Sequence, residues 1–409
     1  MLSTFSGLPR TAWIIFAGTV VNRLGYLVTP FLVFFLSSRG IPTDQTPYIL
    51  GALGAGNLIG PVLGGLLADR VGRRTTMLTG LLGTAAAQGL LYLAPNATTL
   101  ALAAVLLSAT GSLVGPAAGA LLADSVPASR RRTAFSLSHW AVNIGTAVAG
   151  MLGGFLAAEG YWLLFAADVV STLTYALIAT LLLPRDATPS KPPAGEGTGY
   201  GVVLRDPLMR TLLPLFYVAL VIYSLTEVAL PLAIHDDGLS ATTLGLMATL
   251  NAALVVALQP VATSVLSRFP QIPVYAMGST LVALGVALTG VAHSTWAYAA
   301  TVVLWSLGES MVGGIAGSIV ASLAPAHARG RYQGAYQWTV GVGRFTALAV
   351  GTTVYTTAGP SFVWWTTAVA GTAAALTVTA LSPSIARRTA SPKLPLDPTR
   401  PKCDAELAA

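Results

Sequence analysis

Five charged residues interrupt long apolar stretches of this sequence: Arg23, Asp168, Glu227, Glu309 and Arg344. A charge at the centre of a bilayer costs about 2.5 to 3.5 kcal/mol on insertion scales, so such residues tend to be paired or functional. A carboxyl in that setting can take up and release a proton. A guanidinium keeps its proton, and can hold an acid in its charged form or bind an anionic group. A static ion pair is the plain structural alternative. Asn22, Tyr26, Asn57, Gln88, Asn143, Asn251, Gln259, Tyr336 and Gln337 add polarity to the same stretches, and Tyr217, Trp305 and Trp338 could stack on a ligand. Each of these serves helix packing equally well. His139, near a helix end, is read as a solvated or capping group.

The elements that carry these residues follow from composition. Of 409 residues, 54% are hydrophobic and only 9% charged, against roughly 25% in an ordinary soluble domain. A water-soluble fold could not cover its surface with that. The apolar residues fall in blocks of about 20 or more, long enough to cross a hydrocarbon core of roughly 30 Å at 1.5 Å per residue. These predict twelve helices at 11–37, 46–68, 75–94, 98–124, 134–158, 161–183, 211–234, 241–266, 273–292, 295–324, 332–357 and 360–382. The first stretch is too long for the apolar core of a signal peptide and is read as an uncleaved helix.

The net charge of +7 does not imply nucleic acid, because the basic residues sit in short loops between spans. Arg70, Arg73, Arg74, the run Arg130 to Arg132, Arg268, Arg329 and Arg331 fall on one side, and only Arg39 on the other. The positive-inside rule then puts both termini in the cytoplasm of a bacterial inner membrane. A single cysteine, Cys403, can form neither a disulfide framework nor a thiolate metal site within one chain. No metal, no cofactor and a monomer are expected.

The segment 184–210, rich in Pro, Gly and Ser, predicts a flexible linker between a six-helix half (1–183) and a second (211–382), followed by a polar tail (383–409). An offset of 198 positions superposes Arg70 on Arg268, Gly115 on Gly313, Gly119 on Gly317, Pro127 on Pro325, Arg131 on Arg329, Trp140 on Trp338 and Gly145 on Gly343. That is a parallel repeat of two six-helix units.

Between the second and third helices the chain reads Gly65-Leu-Leu-Ala-Asp69-Arg70-Val-Gly72-Arg73-Arg74. Gly65 would let two helices approach closely, Gly72 would permit a tight turn, and Asp69 could face the positive N-terminal end of a helix. A basic turn that only sets topology is the alternative. This loop closely resembles the signature loop of the major facilitator superfamily. The resemblance implies an all-α membrane fold of twelve helices in two pseudo-symmetric halves, with alternating access to a site at mid-membrane. It also implies that Gly65, Asp69, Arg70, Gly72 and Arg73 latch the halves together, with Asp69 docking near Arg329 to Gly334. The corresponding stretch of the second half, Ser267-Arg268-Phe-Pro270, lacks the acid and the glycine, so a single latch is expected. In helix 5, Gly145, Gly150, Gly153 and Gly154 resemble the glycine motif of the family's antiporters, with Ala149-Gly150 in place of its usual Gly-Pro. The same glycines would equally serve ordinary helix packing.

By the same resemblance, helices 1, 7, 10 and 11 border the central cavity and helix 6 is peripheral. Arg23, Glu227, Glu309 and Arg344 would then face one space, with Glu309 and Glu227 as proton carriers. Arg344 and Glu309 lie about a dozen residues from opposite ends of neighbouring helices, roughly 18 to 21 Å deep, so a pair between them is expected. The chain looks like the twelve-helix drug:proton antiporters, which implies export of a small amphipathic drug or natural product, with protons and the lipid bilayer as partners. Uptake of a peptide, sugar or anion is the rival, since Arg23 and Tyr26 loosely resemble peptide transporters, but no acid occurs before Gly40. No nucleophile and base set suggests an enzyme.

Overall fold

The computed structural model describes residues 2–42, 44–186, 197 and 199–389. Residues 187–196 and 198 of the proposed linker and the tail beyond residue 389, with Cys403, lie outside them. The protein is an all-α membrane protein built from twelve spanning elements. We label these α1 (Arg10–Leu24 and Val28–Ser38), α2 (Thr46–Arg70), α3 (Arg73–Leu93), α4 (Ala97–Ser125), α5 (Arg131–Glu159) and α6 (Tyr161–Leu182). The second half comprises α7 (Pro207–Ser224, then Ala229–Asp236), α8 (Ala241–Leu266), α9 (Gln271–Ala287), α10 (Thr295–Val312, then Ile315–Leu323), α11 (Arg329–Thr346, continuing through 347–357) and α12 (Pro360–Ala380). Among the described residues nine helices are long and apolar enough to span by that criterion alone. The other three are α1, which is broken, α11, which is more polar, and α5, parts of which lie outside the described residues.

Spanning segments must satisfy their backbone groups internally, so any interruption needs a partner. At the break in α1, residues Gly25 to Leu27, the freed N–H groups of Leu27 and Val28 are accepted by Asp168 Oδ2 at 3.4 and 3.3 Å. Asp168 is only 5% exposed. The fifth buried charge is thus the cap of a broken helix rather than a peripheral feature of α6. In α7 a 3-10 turn at Leu225–Glu227 interrupts the helix at nearly the same place in the repeat. α10 breaks at Gly313 and Gly314, where Gly314 takes φ 79°, a conformation that favours glycine. A π-helical turn at Ala347–Gly351 follows Arg344 in α11.

Each half builds its own core at either end of the membrane. Met77, Leu121 and Tyr175 anchor the first half near the termini, and Leu32, Leu91 and Phe165 anchor it at the opposite end. Phe216, Tyr275 and Tyr332 do the same for the second half near the termini, and Ile222, Tyr298 and Trp364 at the opposite end. A short last helix, α13 (Ser382–Thr389), is tied down where Arg388 and Tyr332 meet Asp206, the N-cap of α7, at 2.7 and 2.6 Å. Burial pushes the Asp206 carboxyl up, but its bonds from Arg388 and Tyr332 outweigh that and hold it below the ordinary carboxylate range. The stability it contributes is present above the unfolded value of about 3.9 and lost as pH falls through the folded one.

Candidate functional site: an interhalf contact and a charged cleft

On the face that carries the termini, the halves are joined through the loop after α2. Asp69, 4% exposed at its side chain, accepts from Gly330 N (2.8 Å), Arg331 N (3.0 Å) and Arg331 Nε (3.0 Å), with Arg73 at 3.6 Å. It therefore sits on the positive N-terminal end of α11, inside the stretch expected for it. The approach is possible because Gly65 and Gly330 face each other. A Cβ on Gly65 would lie 2.6 Å from Gly330 O, and one on Gly330 would lie 2.6 Å from Gly65 O. Arg73 also bonds Asp124 at 3.0 Å, and Asp124 in turn holds Arg329 from the other half. Gly72 has φ 112° and starts α3, whose first N–H groups, at Arg74 and Thr75, are capped by Asp186 at 2.8 Å. Arg70 is exposed.

Two features here escaped the sequence. Tyr200, inside the proposed linker, packs between α2 and α11 and donates to Val62 O at 2.9 Å. Arg331 Nη1 reaches Gly197 O and Gly199 O at 3.3 and 2.9 Å. This end of the linker is docked rather than free, because Gly65 and Gly334 leave a slot that the tyrosine fills. The Asp69 loop is not the only contact between the halves on this face. Arg132 at the start of α5 donates to Leu266 O (2.7 Å) and Phe269 O (3.0 Å) at the end of α8, so a second contact stands at the equivalent place without an acid.

Further into the membrane the halves still touch through Ser136 Oγ on Gly313 O (2.8 Å) and Trp140 Nε1 on Val256 O (2.9 Å). Beyond that depth the structure gives no half-to-half hydrogen bond among the described residues. Three of the four charges expected in the cleft, Arg23, Glu227 and Arg344, lie there, and the fourth, Glu309, is buried behind them. Arg344 pairs with Glu227 at 2.8 Å, their side chains 56% and 39% exposed. Arg23, half-buried in the other half, is stacked over the Tyr26 ring at 5.1 Å and lies close enough to Arg344 for the two cations to repel. Gly145 of α5 admits α1 at this point, since its Cβ would fall 2.3 Å from that of Arg23. Asn22 donates to Thr172 at 3.1 Å. The surroundings of Gly150, Gly153 and Gly154 lie outside what the structure describes.

The expected pair between Arg344 and Glu309 does not form. Glu309, 3% exposed, instead accepts from Tyr223 Oη and Asn251 Nδ2, both at 3.0 Å. Matching depth fixed the height of the two residues but not the direction each faces around its helix. Trp305 is also redirected, packed edge-on against Tyr223 in the core at 5% exposure. Trp338 lines an apolar recess of about 260 Å³ with Leu213, Pro214 and Tyr217. Six residues from Arg344, it lies roughly 240° around α11, on another face. Asn143 bonds His139 on its own helix. Among the described residues no cluster of acids, histidines or cysteines could hold a metal.

A sequence model described as Major Facilitator Superfamily matches residues 15–235 and 218–402. The Na(+), Li(+), K(+)/H(+) antiporter of Planococcus maritimus is 26% identical over 377 residues, 80% of this chain and 85% of the antiporter. The multi-drug resistance efflux pump PmrA of Streptococcus pneumoniae serotype 4 is 30% identical over 154 residues, only 36% of this chain and 37% of the pump. Among solved structures, a bacterial homologue of the iron transporter ferroportin in its outward-facing state superposes with a TM-score of 0.76 at 17% identity, over 92% of this chain and 100% of that one. A match across nearly the whole length, on a chain with this repeat and this interhalf loop, makes the protein a member of the Major Facilitator Superfamily, a multi-pass membrane transporter and not an enzyme.

Proposed function

We propose that this secondary transporter is proton-coupled and exports a small amphipathic compound, with Glu309 carrying the proton and the Asp69 contact latching the closed face. The observation that carries this reading is the setting of Glu309. Its two oxygens meet a tyrosine hydroxyl and an amide, both uncharged, while the nearby Arg344 is taken by Glu227. A carboxyl with no cation fixed to it is free to change protonation, whereas one locked to an arginine is not. The basic loops beside the latch favour a cytoplasmic termini face, which makes the cleft open outward. Cys403, the one cysteine, offers a direct check of that side: an impermeant maleimide should label it only after cells are permeabilised.

The partial likeness to a multidrug pump supports export of a drug-like compound. The longer match to an alkali-cation antiporter raises cation exchange instead, but two guanidiniums beside the cleft oppose a cation there. In inverted vesicles with an imposed pH gradient, efflux substrates found by screening should be moved by the native chain. Glu309→Gln should reduce gradient-driven movement to background while gradient-free substrate exchange persists, because an amide imitates only the protonated acid. Undiminished gradient-driven transport would remove Glu309 from the mechanism.

A further inference from the structure

We infer that the transported compound is an organic anion, whose carboxylate, sulfonate or phosphate group is held between Arg23 of the first half and Arg344 of the second. This rests on reading the cleft as the transport site and adds the substrate's charge to it. Among the described residues Arg23 has no acid within ion-pair distance. Its close partner is the Tyr26 ring, and the acid in its neighbourhood, Asp168, is buried and already spent on the N–H groups of Leu27 and Val28. Arg344 does have an acid, Glu227, with Nη2 2.8 Å from its Oε2, but both side chains of the pair are exposed. A guanidinium carries five donors in a planar fork, so an oxyanion can be gripped by two at once. Glu309 lies behind this surface, enclosed with Tyr223 and Asn251. The charges an incoming molecule meets are therefore two arginines and one carboxylate, a net positive wall.

The two arginines come from opposite halves and repel when the site is empty. An anion placed between them turns that repulsion into a bridge across the open end of the cleft, so occupancy favours closure there. Glu227 competes for Arg344, and an anion that binds must displace it or share the guanidinium. Competition of this kind gives the arrangement a signature that simple packing lacks. Neutralising Glu227 should tighten the anion, while neutralising either arginine should weaken it.

The test is equilibrium binding without a proton gradient, on the full chain in phosphatidylcholine nanodiscs. Three probes share one apolar body: 4-phenylbutyrate, 4-phenylbutanol and 4-phenylbutylamine, each at millimolar concentration. A ligand that binds only the folded state raises the melting temperature according to its affinity. The carboxylate should raise it most, Arg23→Gln and Arg344→Gln should each weaken its binding tenfold or more, and Glu227→Gln should strengthen it. Nanodiscs containing phosphatidylglycerol separate the two sources of such an anion. Unchanged carboxylate binding there indicates a soluble anion, and suppressed binding indicates that a lipid phosphate takes the same site. Should an arginine variant fail to fold, the Glu227→Gln result decides alone. No shift with the carboxylate, an equal or larger shift with the amine, or weaker carboxylate binding in Glu227→Gln overturns the inference. None of these readings depends on proton coupling, so a Glu309→Gln variant that still responds to a pH gradient would sink the proton mechanism and leave the anion site standing.

Discussion

The two halves of the protein share a backbone plan and differ in charge at each place where the plan is interrupted. α1 and α7 both break near mid-membrane, yet the break in α1 is flanked by Arg23 and held by Asp168, while that in α7 carries Glu227. The loops after α2 and α8 both meet the start of the helix that lies across from them. At the first, an acid, Asp69, sits on the N-terminal end of α11. At the second the polarity is reversed, and Arg132 of α5 reaches the last carbonyl of α8, Leu266 O, and Phe269 O just beyond it. Each obeys the helix dipole, anion at the positive end and cation at the negative one. Repetition thus preserves where the halves touch, and divergence decides what the touch is made of. The carboxylate contact should matter more, because it combines a buried ion pair with two backbone N–H bonds.

Asp69→Asn tests that ranking with the largest effect. The amide retains one acceptor but loses the charge that holds Arg331. Bonds to a charged group are worth about 1.5 to 3 kcal/mol, so closure of the termini face should weaken roughly 10- to 100-fold. Spin-label distances between α2 and α11 on that face would record a larger open population, with expression close to native. An unchanged distance distribution would reduce the loop to a determinant of topology.

Arg132→Gln should act in the same direction but more weakly, since its acceptors are neutral carbonyls that water can also serve. A loss of about 1.5 kcal/mol, roughly tenfold, is expected. If the two contacts are independent, the double variant should show the sum of both effects. An Arg132 variant as damaging as Asp69→Asn would mean that the acid confers no advantage and that both contacts are mere helix-end packing.

What the sequence made legible follows the same division. Apolar block length located the spans, and the offset of 198 exposed the repeat, because both depend on patterns along one dimension. The docking of Asp69 was readable through its loop, where glycine, acid and arginine stand at fixed spacing. The partners of the buried charges were not. Glu309 and Arg344 stand at similar depth, but the direction each faces depends on α7 and α8, which bring Tyr223 and Asn251 to the acid and Glu227 to the arginine. The breaks in α1 and α10 were equally hidden, since Gly25 and Gly314 look like any other membrane glycine until Asp168 and Ser136 are seen to satisfy the freed backbone. Tyr200 was missed for a compositional reason. Its neighbours read as a linker, and only the slot between two distant glycines explains why one aromatic residue is there.

Tyr200 also gives the finest test of the comparison. Gly197, Gly199 and Tyr200 of the linker meet α2 and α11 beside the Asp69 contact, and among the described residues no linker residue bonds the Arg132 contact, so the tyrosine belongs to one side of the pseudo-symmetric pair. Its hydroxyl bonds Val62 O and lies where a Cβ on either Gly65 or Gly334 would be 2.4 Å away. Tyr200→Phe deletes the hydroxyl and keeps the ring that fills the slot. Val62 O belongs to a helix and keeps its place in the intrahelical ladder, so little is left unsatisfied. The expected loss is about 1 kcal/mol, or roughly fivefold in closure of the termini face. Its informative property is coupling. Combined with Arg132→Gln, which lies in the other contact, the effects should add. Combined with Asp69→Asn they should fall short of the sum, because both changes loosen the same approach of α2 to α11 and the second has less left to remove. Spin-label populations measured for the two double variants separate these outcomes, and equal additivity in both would show that the docked tyrosine plays no part in the Asp69 contact.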